Sequence, residues 1–179
     1  MGEPLNHDSY SDDYLRGILD RVKTIAMVGA SEQWNRPSYF AMKYLQGKGY
    51  RVIPVNPRAS VPEILGEKVY KNLAEIPGPI DMVDIFRRSE EAEPIVDEAI
   101  KQGAPVVWMQ IGVRNDEAAR KAEAAGMAVV MMRGEPVSTP TSTPHHFCLS
   151  SMRTSAHFER SFGLVINDAM ATWLQPTSV

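Results

Sequence analysis

Residues 12–133 alternate between short apolar runs and longer segments in which apolar positions recur at helical spacing. The short runs have the length and the β-branched content of buried strands. Parallel sheets with helical crossovers give this alternation, and a short polar segment at 63–70 predicts an excursion with a small strand of its own. We therefore predict a doubly wound, Rossmann-like α/β fold with a five-stranded parallel sheet, flanking helices and the strand order 3-2-1-4-5. The five predicted strands are 24–28, 50–55, 80–86, 106–111 and 127–132.

The helices are predicted from residues that favour helix ends. Ser11 and Ser89 can each cap a helix through the hydroxyl group, and acidic residues follow both of them. Pro37 suits the first position of a helix, because its missing N–H group would have no partner there. The predicted helices are 12–22, 37–47, 89–102 and 116–125.

The pattern changes after the last predicted strand. Residues 135–151 are rich in Pro, Ser and Thr and are predicted to form a linker. Residues 158–174 can form one amphipathic helix, whose apolar side chains are expected to pack on the preceding domain or on a second copy of the chain. We therefore divide the chain into a domain at 12–133 and an atypical tail at 134–179, a linker and C-terminal extension of unknown role for which no catalytic part is expected.

Composition narrows the class of protein. The chain is 44% hydrophobic and 23% charged, as in ordinary globular domains, and its net charge of −3 argues against a general nucleic-acid binder. The single cysteine, Cys148, allows no internal disulfide and suits a reducing compartment. Residues 1–13 lack the basic and apolar regions of a signal peptide, and no apolar run approaches the ~20 residues that span a bilayer. We expect a cytoplasmic protein that binds neither nucleic acids nor membranes.

Ligands of doubly wound folds bind at the carboxyl ends of the strands, so the loops there are the first candidates for a site. Gly29, Ala30 and Ser31 follow the first predicted strand. Small residues let backbone N–H groups approach a phosphate, and the N-terminus of the next helix adds favourable potential. The loop lacks the second glycine of a GxGxxG motif, and a tight turn without a ligand is the alternative interpretation.

The loop after the second predicted strand is Asn56-Pro57-Arg58. NAD-binding domains usually place an acidic residue here, which holds the ribose hydroxyl groups. This chain has no carboxylate at that position, whereas Arg58 suits a phosphate. The alternative is a turn formed by Pro57 with a solvated arginine.

Two later loops reach the same edge of the predicted sheet. Phe86 ends the third predicted strand and Arg87 follows it, and an arginine in that position can bind a phosphate through two hydrogen bonds. Gln110 near the end of the fourth predicted strand offers an amide, and Gly112 after that strand offers a closely approaching backbone. Taken alone, Arg87 is more simply a surface charge. Four loops that meet at one edge indicate a binding site.

These loops carry motifs of a known family. They are Val28-Gly29-Ala30-Ser31, Arg36-Pro37-Ser38-Tyr39, Val52-Ile53-Pro54-Val55-Asn56-Pro57, Ile64-Leu65-Gly66-Glu67, Asp81-Met82-Val83-Asp84-Ile85-Phe86-Arg87 and Val107-Trp108-Met109-Gln110-Ile111-Gly112-Val113. In content and order they resemble the small single-domain CoA-binding proteins, relatives of the CoA-binding domain of the succinyl-CoA synthetase alpha subunit. The resemblance implies a Rossmann-like fold with coenzyme A (CoA) or an acyl-CoA lying across the Gly29–Ser31 loop, Ser38, Asn56-Pro57, Phe86-Arg87 and the Gln110–Gly112 loop.

The end of the repeat departs from this family. Its members commonly continue the last strand with Asp-Arg-Cys and end soon afterwards, whereas this chain has Met132-Arg133-Gly134 and a long tail. Cys148 lies too far along the chain to be taken as the replacement for the family's cysteine.

Residues for catalysis are not evident in the repeat. Its edge loops hold serines, but the histidines that could activate a nucleophile lie outside it, at His7, His145, His146 and His157. The segment from His145 to Cys148 lacks a fourth ligand at the spacing of a metal site. Asp84 falls in a strand that should be buried, and it is either a structural carboxylate or a partner for loop amides near the ligand.

Two functions remain open. The first is a non-catalytic module that binds, carries or senses CoA or an acyl-CoA, with a homodimer mate or a partner enzyme as possible partners. The alternative is an NAD(P)-dependent oxidoreductase or another dinucleotide-binding enzyme, which the missing acidic residue after strand two disfavours. CoA carries a 3′-phosphate that NAD lacks, and Arg36 and Arg58 are the candidates to bind it. The candidate ligand-binding residues are Gly29, Ala30, Ser31, Arg36, Pro37, Ser38, Asn56, Pro57, Arg58, Phe86, Arg87, Gln110 and Gly112.

Overall fold

A computed structural model describes residues 7–131, in which a five-stranded parallel sheet is flanked by helices. The strands are β1 (Thr24–Val28), β2 (Arg51–Val55), β3 (Glu63–Ile64), β4 (Glu67–Lys68), β5 (Met82–Ile85), β6 (Val106–Met109) and β7 (Ala128–Met131). The helices are α1 (Asp12–Leu19), α2 (Pro37–Gly47), α3 (Ala92–Lys101) and α4 (Asp116–Ala124). The Rossmann-like α/β fold is confirmed, and β3 and β4 form the small separate hairpin of the excursion. The predicted tail lies outside the described residues, as do Cys148 and the histidines beyond His7.

The order of the strands in the sheet differs from the prediction. The sheet runs β2-β1-β5-β6-β7, so its five strands have the sequential order 2-1-3-4-5, and the predicted order 3-2-1-4-5 is wrong. Pro54 gives the physical reason, because a proline has no N–H group to donate and is confined to edge strands. The predicted order would have placed β2 inside the sheet. Every residue of β5 is buried, and this strand lies between two neighbours, β1 and β6.

Both faces of the sheet are covered. Alternate strand residues, such as Val28 and Ile85, join a core with the buried faces of α3 and α4. The opposite set, which includes Met27 and Trp108, is also fully buried, as are apolar residues of α1 and α2. Covered faces leave the carboxyl ends of the strands as the accessible edge for a ligand.

Most helix ends follow the predicted signals. The Ser11 hydroxyl accepts a hydrogen bond from the Tyr14 N–H group, and Pro37 occupies the first position of α2. The predicted cap at Ser89 is wrong: α3 begins at Ala92, after a 3₁₀ turn at Ser89–Glu91. The Ser89 hydroxyl instead bonds the loop after β6, as described below. No helix among residues 7–131 is long and apolar enough to cross a bilayer.

Candidate functional site

The first loop is held by contacts within the protein. Gly29 has a φ of 94°, and its N–H group donates to the Val55 carbonyl over 2.9 Å. A Cβ atom built at Gly29 would lie 2.5 Å from the Phe86 carbonyl oxygen. The close approach of two chain segments therefore already requires glycine here. A bulky substitution would disturb the junction of β1 and β5 whether or not a ligand binds.

The second and third residues of this loop lead into α2. Ala30 is fully buried, and the Ser31 N–H group donates to the Ser38 hydroxyl over 3.1 Å. Ser38 is buried in the first turn of α2, directly after Pro37. Two of the predicted site residues, Ser31 and Ser38, are thus brought together. Arg36 precedes the helix as an exposed side chain, and its Nε donates to Gln33 of the same loop.

Asn56 joins three of the predicted loops. Its Nδ2 donates to the Ala30 carbonyl over 2.8 Å, and its Oδ1 accepts from the Arg58 N–H group and from Arg87 Nη2, each over 3.0 Å. A carboxylate at this position would lose the donor to Ala30. The absence of an acidic residue after β2 therefore has a structural reason, because the amide supplies both a donor and an acceptor.

A cleft of about 250 Å³ opens beside these loops, between the ends of β1 and β2 and helix α3. Its lining combines apolar and charged residues. Three cations line it: Arg58, Lys71 and Arg87. The apolar lining residues are Val28, Val55, Pro57, Leu73, Pro94 and Ile95, and the remaining ones are Asn72, Glu91 and Glu98.

The charged side chains of the cleft differ in whether they have partners within the protein. Glu98 accepts a hydrogen bond from the Leu73 N–H group, and Glu91 forms an ion pair with Arg88. Arg58 and Lys71, by contrast, form no ion pair within residues 7–131. The cleft can therefore accept an anion such as a phosphate, next to apolar surface suited to a heterocyclic or aliphatic group. Sequence reasoning missed Lys71, which directly follows the excursion, and Ile95, which lies in α3.

A buried carboxyl group lies behind the loop after β6. Asp84 is fully buried in β5, and its Oδ1 accepts a hydrogen bond from Gln110 Nε2 over 3.0 Å. Its Oδ2 has no partner among the residues that the structure describes. Burial raises the pKa of Asp84 to about 7, and the hydrogen bond from Gln110 opposes part of this rise. Asp84 thus accepts a hydrogen bond from the side-chain amide of Gln110, and its role beside a ligand stays a prediction.

The loop after β6 is tied down at several points. The Gln110 N–H group donates to the Ile85 carbonyl, and the Val113 N–H group donates back to the Gln110 carbonyl over 2.8 Å. The Ser89 hydroxyl donates to the Gly112 carbonyl and accepts from the Arg114 N–H group. Gln110 and Gly112 therefore lie in a fixed turn after β6. In the sheet, β5 separates β6 from β1. Neither residue lines the cleft.

The one histidine among residues 7–131 lies away from the cleft. His7 contacts Tyr10 through Nδ1 and Glu123 through Nε2, and it does not line the cleft. Among residues 7–131, no three His, Cys, Asp or Glu side chains are grouped so that they could hold a metal ion.

Residues 23–134 match a family described as a CoA binding domain. The chain is 43% identical over 117 residues to the uncharacterized protein YneT of Bacillus subtilis (strain 168), a match that covers 65% of this chain and 85% of the relative. A hypothetical protein from Pyrococcus horikoshii OT3 has a similar structure, with a TM-score of 0.67 and 43% identity over 74% of this chain and 92% of that one. These matches span most of each relative.

A longer relative is similar over part of its length. The alpha subunit of acetate–CoA ligase [ADP-forming] I from Pyrococcus furiosus is 35% identical over 93 residues, which are 50% of this chain and 20% of the subunit. The match to the family over residues 23–134 and the five-stranded parallel sheet place this chain among the Rossmann-like α/β proteins. The chain belongs to the CoA binding domain family.

Proposed function

We propose that this protein binds CoA or an acyl-CoA at the carboxyl edge of its sheet, as a non-catalytic binding, carrier or sensor module of the cytoplasm. The observation that carries the proposal is the cleft whose lining combines the cations Arg58, Lys71 and Arg87 with six apolar residues. CoA combines phosphate groups with apolar parts, and membership of the CoA binding domain family supports this ligand.

The loops suggest how an elongated ligand would lie. The cationic cleft beside β2 suits the phosphorylated adenosine end, with Arg58 or Arg36 near the 3′-phosphate. The diphosphate would lie by the Gly29–Ser31 loop at the start of the path to α2. The remaining arm would then extend across β5 toward Gln110 and Gly112, since β6 follows β5 in the sheet.

A protein that carries a thioester needs a recipient. We include in the proposal a second copy of the chain or a partner enzyme that receives the ligand. The similarity to a ligase alpha subunit, in which the matching region is a minor part of a longer chain, supports a partner enzyme.

The ligand class is tested by thermal unfolding with CoA, acetyl-CoA, NAD and NADP. We expect CoA and acetyl-CoA to raise the Tm, because a ligand at 100 times its Kd adds about 2.7 kcal/mol to the free energy of unfolding. NAD and NADP should raise it little, since Asn56 occupies the position of the ribose-binding carboxylate. A larger shift with NAD or NADP than with CoA would reject the proposal in favour of a dinucleotide enzyme.

The phosphate contacts are tested with Arg58→Ala and Arg36→Ala. A charge-assisted hydrogen bond contributes about 1.5–3 kcal/mol, so loss of the arginine that binds the 3′-phosphate should weaken CoA binding about tenfold or more. Binding of dephospho-CoA should hardly change. Arg120→Ala is the matched control, because Arg120 is exposed, pairs with Glu117, and neither residue lines the cleft. If neither variant loses its preference for CoA over dephospho-CoA in calorimetry, the assignment of both arginines is wrong.

A further inference from the structure

A cation from outside the predicted loops lines the cleft. Lys71 lines it together with Arg58, whereas Arg36, the other predicted partner of a phosphate, does not. The cleft of about 250 Å³ is smaller than the ~300–1,000 Å³ of most ligand pockets, so it has room for one end of a long ligand such as CoA. The surroundings of Lys71 and Arg58 indicate which end that is.

The position of Lys71 depends on an additional backbone pairing beside β2. Tyr70 forms an isolated parallel bridge with Val55. The Tyr70 N–H group donates to the Pro54 carbonyl over 3.0 Å, and the Tyr70 carbonyl accepts from the Asn56 N–H group over 2.9 Å. Tyr70 therefore extends the pairing by one residue beyond β2, and Lys71 follows it at the carboxyl edge. The rule that ligands bind at this edge applies to Lys71 as well.

Two carboxylates fix the backbone at and after Lys71. Glu75 accepts hydrogen bonds from the Lys71 N–H group over 3.2 Å and from Asn72 Nδ2 over 3.0 Å. Glu98 accepts from the Leu73 N–H group over 3.4 Å. Neither carboxylate forms an ion pair with the exposed Lys71 side chain, which has no such partner among residues 7–131. A fixed backbone therefore brings a cation without an ion pair to the cleft.

Arg58 is placed in a similar way by the neighbouring loop. Its backbone N–H group donates to Asn56 Oδ1 over 3.0 Å, and its exposed side chain forms no ion pair within the described residues. Asn56 also bonds the Tyr70 carbonyl, so it connects the segments that carry Arg58 and Lys71. Two cations on connected segments of one cleft suit a phosphate monoester, which carries about −1.5 to −2 charge at pH 7. The 3′-phosphate of CoA is such a monoester, whereas its diphosphate is not.

The rest of the lining suits a nucleoside. Pro57 follows β2, and Pro94 and Ile95 belong to α3, so two separate elements bring apolar surface to the cleft. A heterocyclic base can pack on such surface. The adenosine end of CoA combines a base with a phosphate monoester on the ribose, and it therefore matches both parts of the lining without the rest of the ligand.

We propose that the cleft recognises nucleoside 3′,5′-bisphosphates, with Lys71 and Arg58 binding the 3′-phosphate, and that such a nucleotide competes with CoA although it has no pantetheine arm. The inference rests on the proposed function and names a class of ligand that regulates the same site. Lys71 is then a residue that determines specificity, because a nucleotide with a free 3′-hydroxyl group leaves its ammonium group without a partner. Occupancy by CoA falls as the concentration of the free nucleotide rises.

The test is calorimetry of the full-length protein with CoA, 3′,5′-ADP and AMP, and titration of CoA in the presence of 3′,5′-ADP. We expect 3′,5′-ADP to bind about tenfold or more tightly than AMP and to weaken the apparent affinity for CoA, because the 3′-phosphate adds charge-assisted hydrogen bonds. Lys71→Ala should weaken binding of 3′,5′-ADP about tenfold and leave that of AMP nearly unchanged. Lys71→Arg should keep the preference. Lys43→Ala is the matched control, because Lys43 is an exposed lysine of α2 that does not line the cleft.

The outcomes separate this inference from the proposed function. If CoA binds and 3′,5′-ADP does not displace it, the inference is overturned and the proposed function stands. If Lys71→Ala keeps the wild-type ratio of the affinities for 3′,5′-ADP and AMP, Lys71 does not bind the 3′-phosphate and the inference is again overturned. If CoA does not bind, the proposed function itself fails. The supporting result is displacement of CoA by 3′,5′-ADP, with a preference over AMP that Lys71→Ala reduces and that Lys71→Arg and Lys43→Ala retain.

Discussion

Replacing Asp84 with Asn is expected to remove a stability penalty that the protein carries at neutral and alkaline pH. Asp84 is fully buried, and burial raises its pKa from 3.8 to about 7. The folded protein therefore binds a proton more tightly than the unfolded chain does. Below pH 3.8 both states are protonated and the group contributes no penalty. As the pH rises from about 4 to about 7, the unfolded chain ionises first and the folded state becomes less stable.

The expected size follows from the two pKa values. They differ by about 3, and each pH unit between them contributes 1.36 kcal/mol, so the full penalty is about 4 kcal/mol above pH 7. Asn keeps an oxygen that can accept from Gln110 Nε2, but it does not ionise. The free energy of unfolding of Asp84→Asn relative to the wild type should therefore increase by about this amount between pH 4 and pH 8.

Chemical denaturation at several pH values measures this difference. Asp13→Asn is the control, because it removes the same charge from an exposed position in the first turn of α1. We expect no comparable change with pH for the control. If the free energies of unfolding of the wild type and Asp84→Asn change in parallel between pH 4 and pH 8, Asp84 is ionised in the folded protein throughout this range. That result would contradict the raised pKa of Asp84.

The fold could be predicted largely because its strands are buried on both faces. β1, β5 and β6 are mostly apolar runs, with Asp84 as the charged residue of β5, and such runs are visible in a sequence without tertiary information. The order of the strands depends on which side of β1 the chain returns to after β2. The spacing of apolar residues along the sequence does not encode that choice. Pro54 was the available signal, since it confines β2 to an edge. Ser89 shows a similar limit, because its sequence context fits a cap but its hydroxyl bonds Gly112 and Arg114.

Some residues of the candidate site could also be predicted from the sequence, and others could not. The loops after β1, β2 and β5 were predicted from a general rule for parallel sheets, and the structure brings Ala30, Asn56, Arg58 and Arg87 into one connected group. Lys71 and Ile95 reach the cleft from an irregular segment and a helix, so their place depends on tertiary packing. A glycine after a strand was interpreted as room for a phosphate. The structure adds the Phe86 carbonyl as a neighbour that also excludes a side chain.

Gly29→Ala is expected to lower the free energy of unfolding by about 3 kcal/mol if the Phe86 carbonyl is the reason for the glycine. A glycine needed only for the approach of a phosphate would not require so large a loss. A φ of 94° costs an alanine about 1 kcal/mol, and the new Cβ atom 2.5 Å from the Phe86 carbonyl oxygen adds about 2 kcal/mol of steric strain. Gly78→Ala is the matched control, because Gly78 has a φ of 90° and open space around the added Cβ atom, so it should lose only about 1 kcal/mol. Urea denaturation without ligand measures both variants. Equal losses would show that β1 and β5 can separate to admit the methyl group, and the glycine would then be explained better by the approach of a phosphate to the Gly29–Ser31 loop.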